Sequence, residues 1–66
     1  MKLSEAKQLA QQGVKMTHEY FRDDEYMTME GNYIIFEDGI EIHFDDWTKG
    51  KDYLKDGWSK FRFNNK

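Results

Sequence analysis

The spacing of apolar positions changes at Gly13. Before it, Ala6, Leu9 and Ala10 recur at helical spacings, which places them on one stripe of an α-helix. This predicts a helix over residues 4–12. Ser4 is the expected N-cap, Glu5 puts an anion in the first turn, and Gly13 is the left-handed stop. The stripe is narrow and its side chains are small, which suits a helix laid closely on a sheet.

After Gly13 the period is two. Residues 14–21 read as a strand with Val14, Met16, His18 and Tyr20 on one face and Lys15, Thr17, Glu19 and Phe21 on the other. Arg22-Asp23-Asp24 reads as a turn, and residues 25–30 as a second strand with Met27 and Met29 opposite Tyr26 and Thr28. Gly31-Asn32 is a two-residue turn signal that predicts a hairpin to a strand over 33–36. Asp38-Gly39 supplies a second tight turn. Residues 40–44 alternate, with Ile40, Ile42 and Phe44 expected to be buried and Glu41 and His43 wet. Asp45-Asp46 is expected to cap a short helical turn through Trp47, residues 51–55 to form another, and residues 58–63 to form the last strand. Residues 64–66 are expected to fray. Consecutive hairpins imply an antiparallel meander of about five strands with the N-terminal helix on one face. The expected fold class is α+β, a single domain over residues 1–66.

Composition sharpens this picture. All eleven aromatic rings follow residue 19, and there is neither cysteine nor proline. A domain this short buries only about 60% of its unfolded surface and needs reinforcement. Without cysteine, disulfides and thiolate zinc sites are excluded, so self-association into a homo-oligomer is the expected support. No apolar run is long enough to span a membrane, and the polar N-terminus does not resemble a signal peptide. A soluble intracellular protein is expected.

The net charge of −3 is unevenly spread. Residues 19–46 hold Glu19, Asp23, Asp24, Glu25, Glu30, Glu37, Asp38, Glu41, Asp45 and Asp46 against the single base Arg22. Such a segment disfavours nucleic acid. It is either a solvated face or a surface for a basic partner.

Catalysis finds little footing. His18 and His43 do not share a helix at metal-binding spacing, Asp23-Asp24-Glu25 lacks the pattern of a calcium loop, and Ser4 and Ser59 lack a nucleophile elbow. Neither an enzyme nor a cofactor is expected. The aromatics remain: Phe21 and Trp58 flank turns, where a ring is more readily exposed, and stacking contributes roughly 1–3 kcal/mol per base.

Several segments together carry a family resemblance. Ser4-Glu5-Ala6 leads through Leu9 to Gly13, the strand 14–21 follows, Asp38-Gly39 forms an acidic-glycine turn, and the close is Asp52-Tyr53-Leu54-Lys55-Asp56-Gly57-Trp58. Over about residues 4–59 the chain resembles the Thoeris anti-defence proteins of the second type, a family of very short phage proteins. The resemblance implies a dimeric or tetrameric sponge in the host cytoplasm that sequesters a cyclic ADP-ribose-type immune signalling nucleotide and breaks no bond. It further implies a pocket at a subunit boundary. There Phe21 or Trp58 would stack the adenine, Thr17, His18 and backbone N–H groups would meet ribose and phosphate oxygens, and Tyr26 would complete the set. The alternative expectation, from the acidic segment, is a phage inhibitor that docks on a basic host defence protein and blocks it. Charge complementarity would make that association fast and salt-sensitive.

Overall fold

In the computed structural model, residues 1–62 are described; Phe63 and the tail expected to fray lie outside them. The elements are α1 (Leu3–Gln11), β1 (Met16–His18), β2 (Met27–Glu30), β3 (Tyr33–Phe36), β4 (Glu41–His43), α2 (Phe44–Thr48), a 3₁₀ turn (Asp52–Lys55) and β5 (Trp58–Lys60). They form the expected α+β fold, an N-terminal helix packed on a five-stranded antiparallel sheet. The strand order is β4-β3-β2-β1-β5. β1 to β4 run as a meander, and β5 returns through α2 and the 3₁₀ turn to the free edge of β1, with Met16↔Lys60, Thr17↔Ser59 and His18↔Trp58 in register.

Gly31 makes the β2–β3 hairpin. It has φ +60° while Asn32 stays at negative φ, the pattern of a turn whose first central position needs glycine. Four registered pairs follow, from Glu30↔Tyr33 to Met27↔Phe36. The period of two then sorts the sheet into faces. Met16, His18, Met27, Met29, Ile34 and Trp58 point toward α1, where Ala6 and Ala10 are small enough to let the helix settle onto them. Phe44 and Leu54 close the same core from α2 and the 3₁₀ turn. All the helical elements therefore lie on one side. The opposite face carries Thr17 and Ser59, then Thr28, Ile35 and Glu41, and Tyr33 beside His43. None of the described elements covers it.

Three local expectations are corrected. α1 begins one residue early, with Lys2 in the cap position: the Lys2 carbonyl accepts the Glu5 and Ala6 N–H groups, and the Glu5 carboxylate accepts the Lys2 N–H at 3.4 Å. Ser4 thus lies inside the first turn. The first strand ends at His18, because the Phe21 N–H donates back to the His18 carbonyl at 2.8 Å and folds residues 18–21 into a turn. The fourth strand ends at His43, whose Nδ1 accepts the Asp45 N–H at 3.2 Å and caps α2 in place of Asp45-Asp46. Ile40 precedes that strand and is 54% exposed. The loop that carries it closes through Phe36 N–H to Ile40 O and Gly39 N–H to Phe36 O, so only Ile42 and Phe44 of the alternating trio turn inward. No described helix is long and apolar enough to cross a membrane.

Candidate functional site

His18 is the hub of the aromatic end of the molecule. It is 2% exposed, and its ring lies 5.0 Å from Trp58, 5.4 Å from Tyr20, 5.9 Å from Phe21 and 6.3 Å from Tyr53. A buried imidazole needs partners for both nitrogens. The Tyr20 N–H donates to Nδ1 at 3.1 Å, and Nε2 lies 2.6 Å from the Asp56 carbonyl. An acceptor at Nδ1 and a carbonyl at Nε2 together require the neutral ring with its proton on Nε2. His18 therefore ties the turn after β1 to the turn before β5.

Trp58 is equally committed. It is 2% exposed, its indole N–H donates to the Leu54 carbonyl at 2.7 Å, and its ring meets Phe21 edge-on at 5.6 Å and Trp47 at 6.3 Å. Trp47 in α2 also meets Phe21 at 6.2 Å and Phe36 at 5.4 Å. Phe21 and Trp47 remain half-buried, each braced by at least two rings. Offset and edge-to-face pairs of this kind add roughly 0.5–1.5 kcal/mol each beyond area burial. Arg22 follows Phe21 in the chain, and the Lys51 ammonium donates to the Trp47 carbonyl at 2.6 Å, 5.8 Å from its ring.

The five residues expected to bind ligand thus divide into two groups. His18, Phe21 and Trp58 come together on the helix side. Thr17 and Tyr26 lie on the opposite face: the Thr17 hydroxyl donates to the Glu25 carbonyl at 2.9 Å, while the Tyr26 ring pairs with Phe61 at 4.8 Å beneath the Lys15 ammonium. No pocket is enclosed by the described residues. The ring cluster also recruits Trp47, Phe36, Tyr20 and Tyr53, of which Tyr20 and Tyr53 are 70% and 54% exposed. Trp47 and Tyr53 sit on the two short helical turns expected between β4 and β5. The Asp56 carbonyl, a backbone group, has no side-chain signature at all.

Beside the cluster, the Asp56 carboxylate accepts the Gly57 N–H at 2.9 Å and lies 3.6 Å from the Met1 ammonium. The backbone hydrogen bond first, and the ammonium with it, hold its pKa below the ordinary aspartate value. Met1 and Trp58 also exchange backbone hydrogen bonds, the Met1 ammonium to Trp58 O at 2.8 Å and Trp58 N–H to Met1 O at 3.2 Å. Elsewhere, among the described residues, none of the ten carboxylates from Glu19 to Asp46 makes an ion pair, although Glu25, Glu37 and Asp38 accept backbone N–H groups. Among those residues no group of three or more His, Asp or Glu side chains is placed to hold a metal.

Comparison with protein-family models, with curated proteins and with solved structures found no match.

Proposed function

We propose that the protein is a non-catalytic phage anti-defence protein that acts in the host cytoplasm as a dimer or tetramer and captures a cyclic ADP-ribose-type signalling nucleotide. The observation that carries this reading is the Phe21–Trp47 edge. Both rings are half-buried at the rim of the core, and both are held by neighbours, Phe21 by His18 and Trp58, Trp47 by Phe36 and Trp58. Rings already fixed in place stack on a flat base without a further ordering cost. The Lys51 ammonium, 5.8 Å from the Trp47 ring, brings positive charge to the same edge for phosphate oxygens, and Arg22 follows Phe21 in the chain. His18 and Trp58 then serve as the brace, not as direct contacts. Thr17 and Tyr26 would reach the same nucleotide only across a subunit boundary. The likeness of residues 4–59 to the anti-defence family points the same way.

Calorimetry with cyclic ADP-ribose isomers, with AMP as control, tests it. Saturable binding is expected, weakened about fivefold or more in a folded Phe21→Ala variant, since stacking on one ring contributes roughly 1–3 kcal/mol. Folded protein that takes up none of these nucleotides overturns the reading. A second reading rests on the ten carboxylates of residues 19–46, none of them ion-paired among the described residues: an acidic surface that docks on a basic host defence protein. Its mark is binding to one purified basic partner that collapses between low and moderate salt.

A further inference from the structure

We infer that the outer edge of β4 takes up an extended, basic segment of another protein as an added strand. β4 ends the strand order, and its ladder to β3 fixes which groups face outward. The Phe36 N–H donates to the Ile40 carbonyl at 3.0 Å and the Phe44 N–H to the Asn32 carbonyl at 2.8 Å, with Ile34↔Ile42 in register between them. Bonded and non-bonded pairs alternate along an antiparallel ladder. Glu41 and His43 therefore occupy the non-bonded positions, and the N–H groups of both, with the Glu41 carbonyl, point away from β3. Outward N–H and C=O groups on an edge strand are a template for a further strand. The opposite edge is not equivalent, because the Trp58 N–H and carbonyl of β5 are already taken by Met1.

Charge and parity say which segment fits. Residues 37–46 carry Glu37, Asp38, Glu41, Asp45 and Asp46 and neither lysine nor arginine, so this edge repels an acidic strand and attracts a basic one. Among the described residues none of these five carboxylates makes an ion pair. Lys7 approaches from the helix side, over the Phe44 ring at 4.4 Å. Glu41 lies on the uncovered face, Ile42 is half-buried on the helix side, and the exposed Ile40 precedes both. A segment that alternates Lys or Arg with Val or Ile would set its cations beside Glu41 and its aliphatic side chains beside Ile42. The partner is thus the basic protein of the second reading above, on which this inference rests, with a place and a mode of contact added. β4 is three residues long, so the contact is short and sensitive to salt.

The probe is a short synthetic peptide of alternating lysine and valine, titrated at low salt into isotope-labelled protein and followed by amide NMR and hydrogen exchange. Saturable binding that slows exchange of the Glu41 and His43 amides is expected, and the same peptide with glutamate in place of lysine should not bind. Glu41→Gln weakens binding about threefold by removing the charge. Glu41→Pro, checked for folding by circular dichroism, weakens it more than about tenfold, because it also removes an outward N–H that β3 does not use. If that variant does not fold, amide exchange in the parent protein decides alone. Binding that leaves Glu41 and His43 exchange unchanged overturns strand addition while the acidic-surface reading stands, as does a folded Glu41→Pro that binds as well as Glu41→Gln. A peptide that does not bind at all overturns it too, and the second reading is then judged on its own purified partner.

Discussion

The two ends of the sheet are built on different principles. β2, β3 and β4 are joined by short turns and hold four and three registered pairs; each pair forms between residues that are near neighbours in sequence. At the other end, β1 pairs with β5 some forty residues further along, and β1 meets β2 at a single registered pair, Met16↔Met27. What compensates there is side-chain chemistry: α1 lies across β1, β2 and β5, and His18, Phe21, Trp47 and Trp58 interlock. Local turn chemistry fixes one half, and long-range burial of rings fixes the other. The half that depends on burial is also the half that presents the candidate binding edge.

That contrast sets the order of the expected effects. The largest comes from Trp58→Ala. Removing a fully buried tryptophan costs about 3–5 kcal/mol, comparable with the whole stability of a domain this small. Urea titration should find the variant largely unfolded, whereas Ile35→Ala on the uncovered face remains folded. An undiminished midpoint for Trp58→Ala would remove the ring cluster from its structural role.

A middle-sized effect separates the two halves by their glycines. Gly57 has φ +94°, and a β-carbon there runs into the Glu19 carboxyl group. Gly31 has φ +60° and open space around it. Both changes to alanine incur the left-handed backbone penalty, about 1–2 kcal/mol, but only Gly57→Ala adds a clash. Combining it with Glu19→Ala should recover the steric part alone, leaving the two glycine variants alike in thermal denaturation. Equal costs without the Glu19 change would mean that the side chain simply moves aside.

The smallest effect is electrostatic. The Asp56 pKa is lowered in the folded state, so its contribution is complete above the unfolded value of about 3.9 and is lost as pH falls through the folded one. Asp56→Asn should be slightly less stable than the parent near neutral pH, and the gap should close in acid. A gap that is flat through that range would show that the carboxylate contributes no linkage.

Much of the meander was legible because its signals are local. Met27 and Met29 alternate with Thr28, Gly31-Asn32 makes the turn, and the pairing follows from both. The aromatic end was legible only in part. Tyr20 and Phe21 are good strand formers, yet their rings gain more by folding back onto His18 than by extending the strand, so tertiary contacts override propensity. That fold-back carries Phe21 across to the face of His18 and leaves Thr17 on the other, against the simple alternation of residues 14–21. Ile40, Ile42 and Phe44 formed the cleanest alternation in the chain, but the helix that starts at Phe44 uses it differently. Sequence parity identified which side chains share a face wherever the backbone stays extended. It had no means of locating the Asp56 carbonyl that holds His18.

The pairing of β1 with β5 also bears on how the chain is made. Of the five strands, β1 leaves the ribosome first and β5 last, so the edge of β1 stays open throughout synthesis of everything between them. Met16 has α1 and Met27 for neighbours before then, but the β1 edge and His18 gain β5 and Trp58 only when that last strand arrives. For that interval the nascent protein exposes the very surface that a chaperone would recognise.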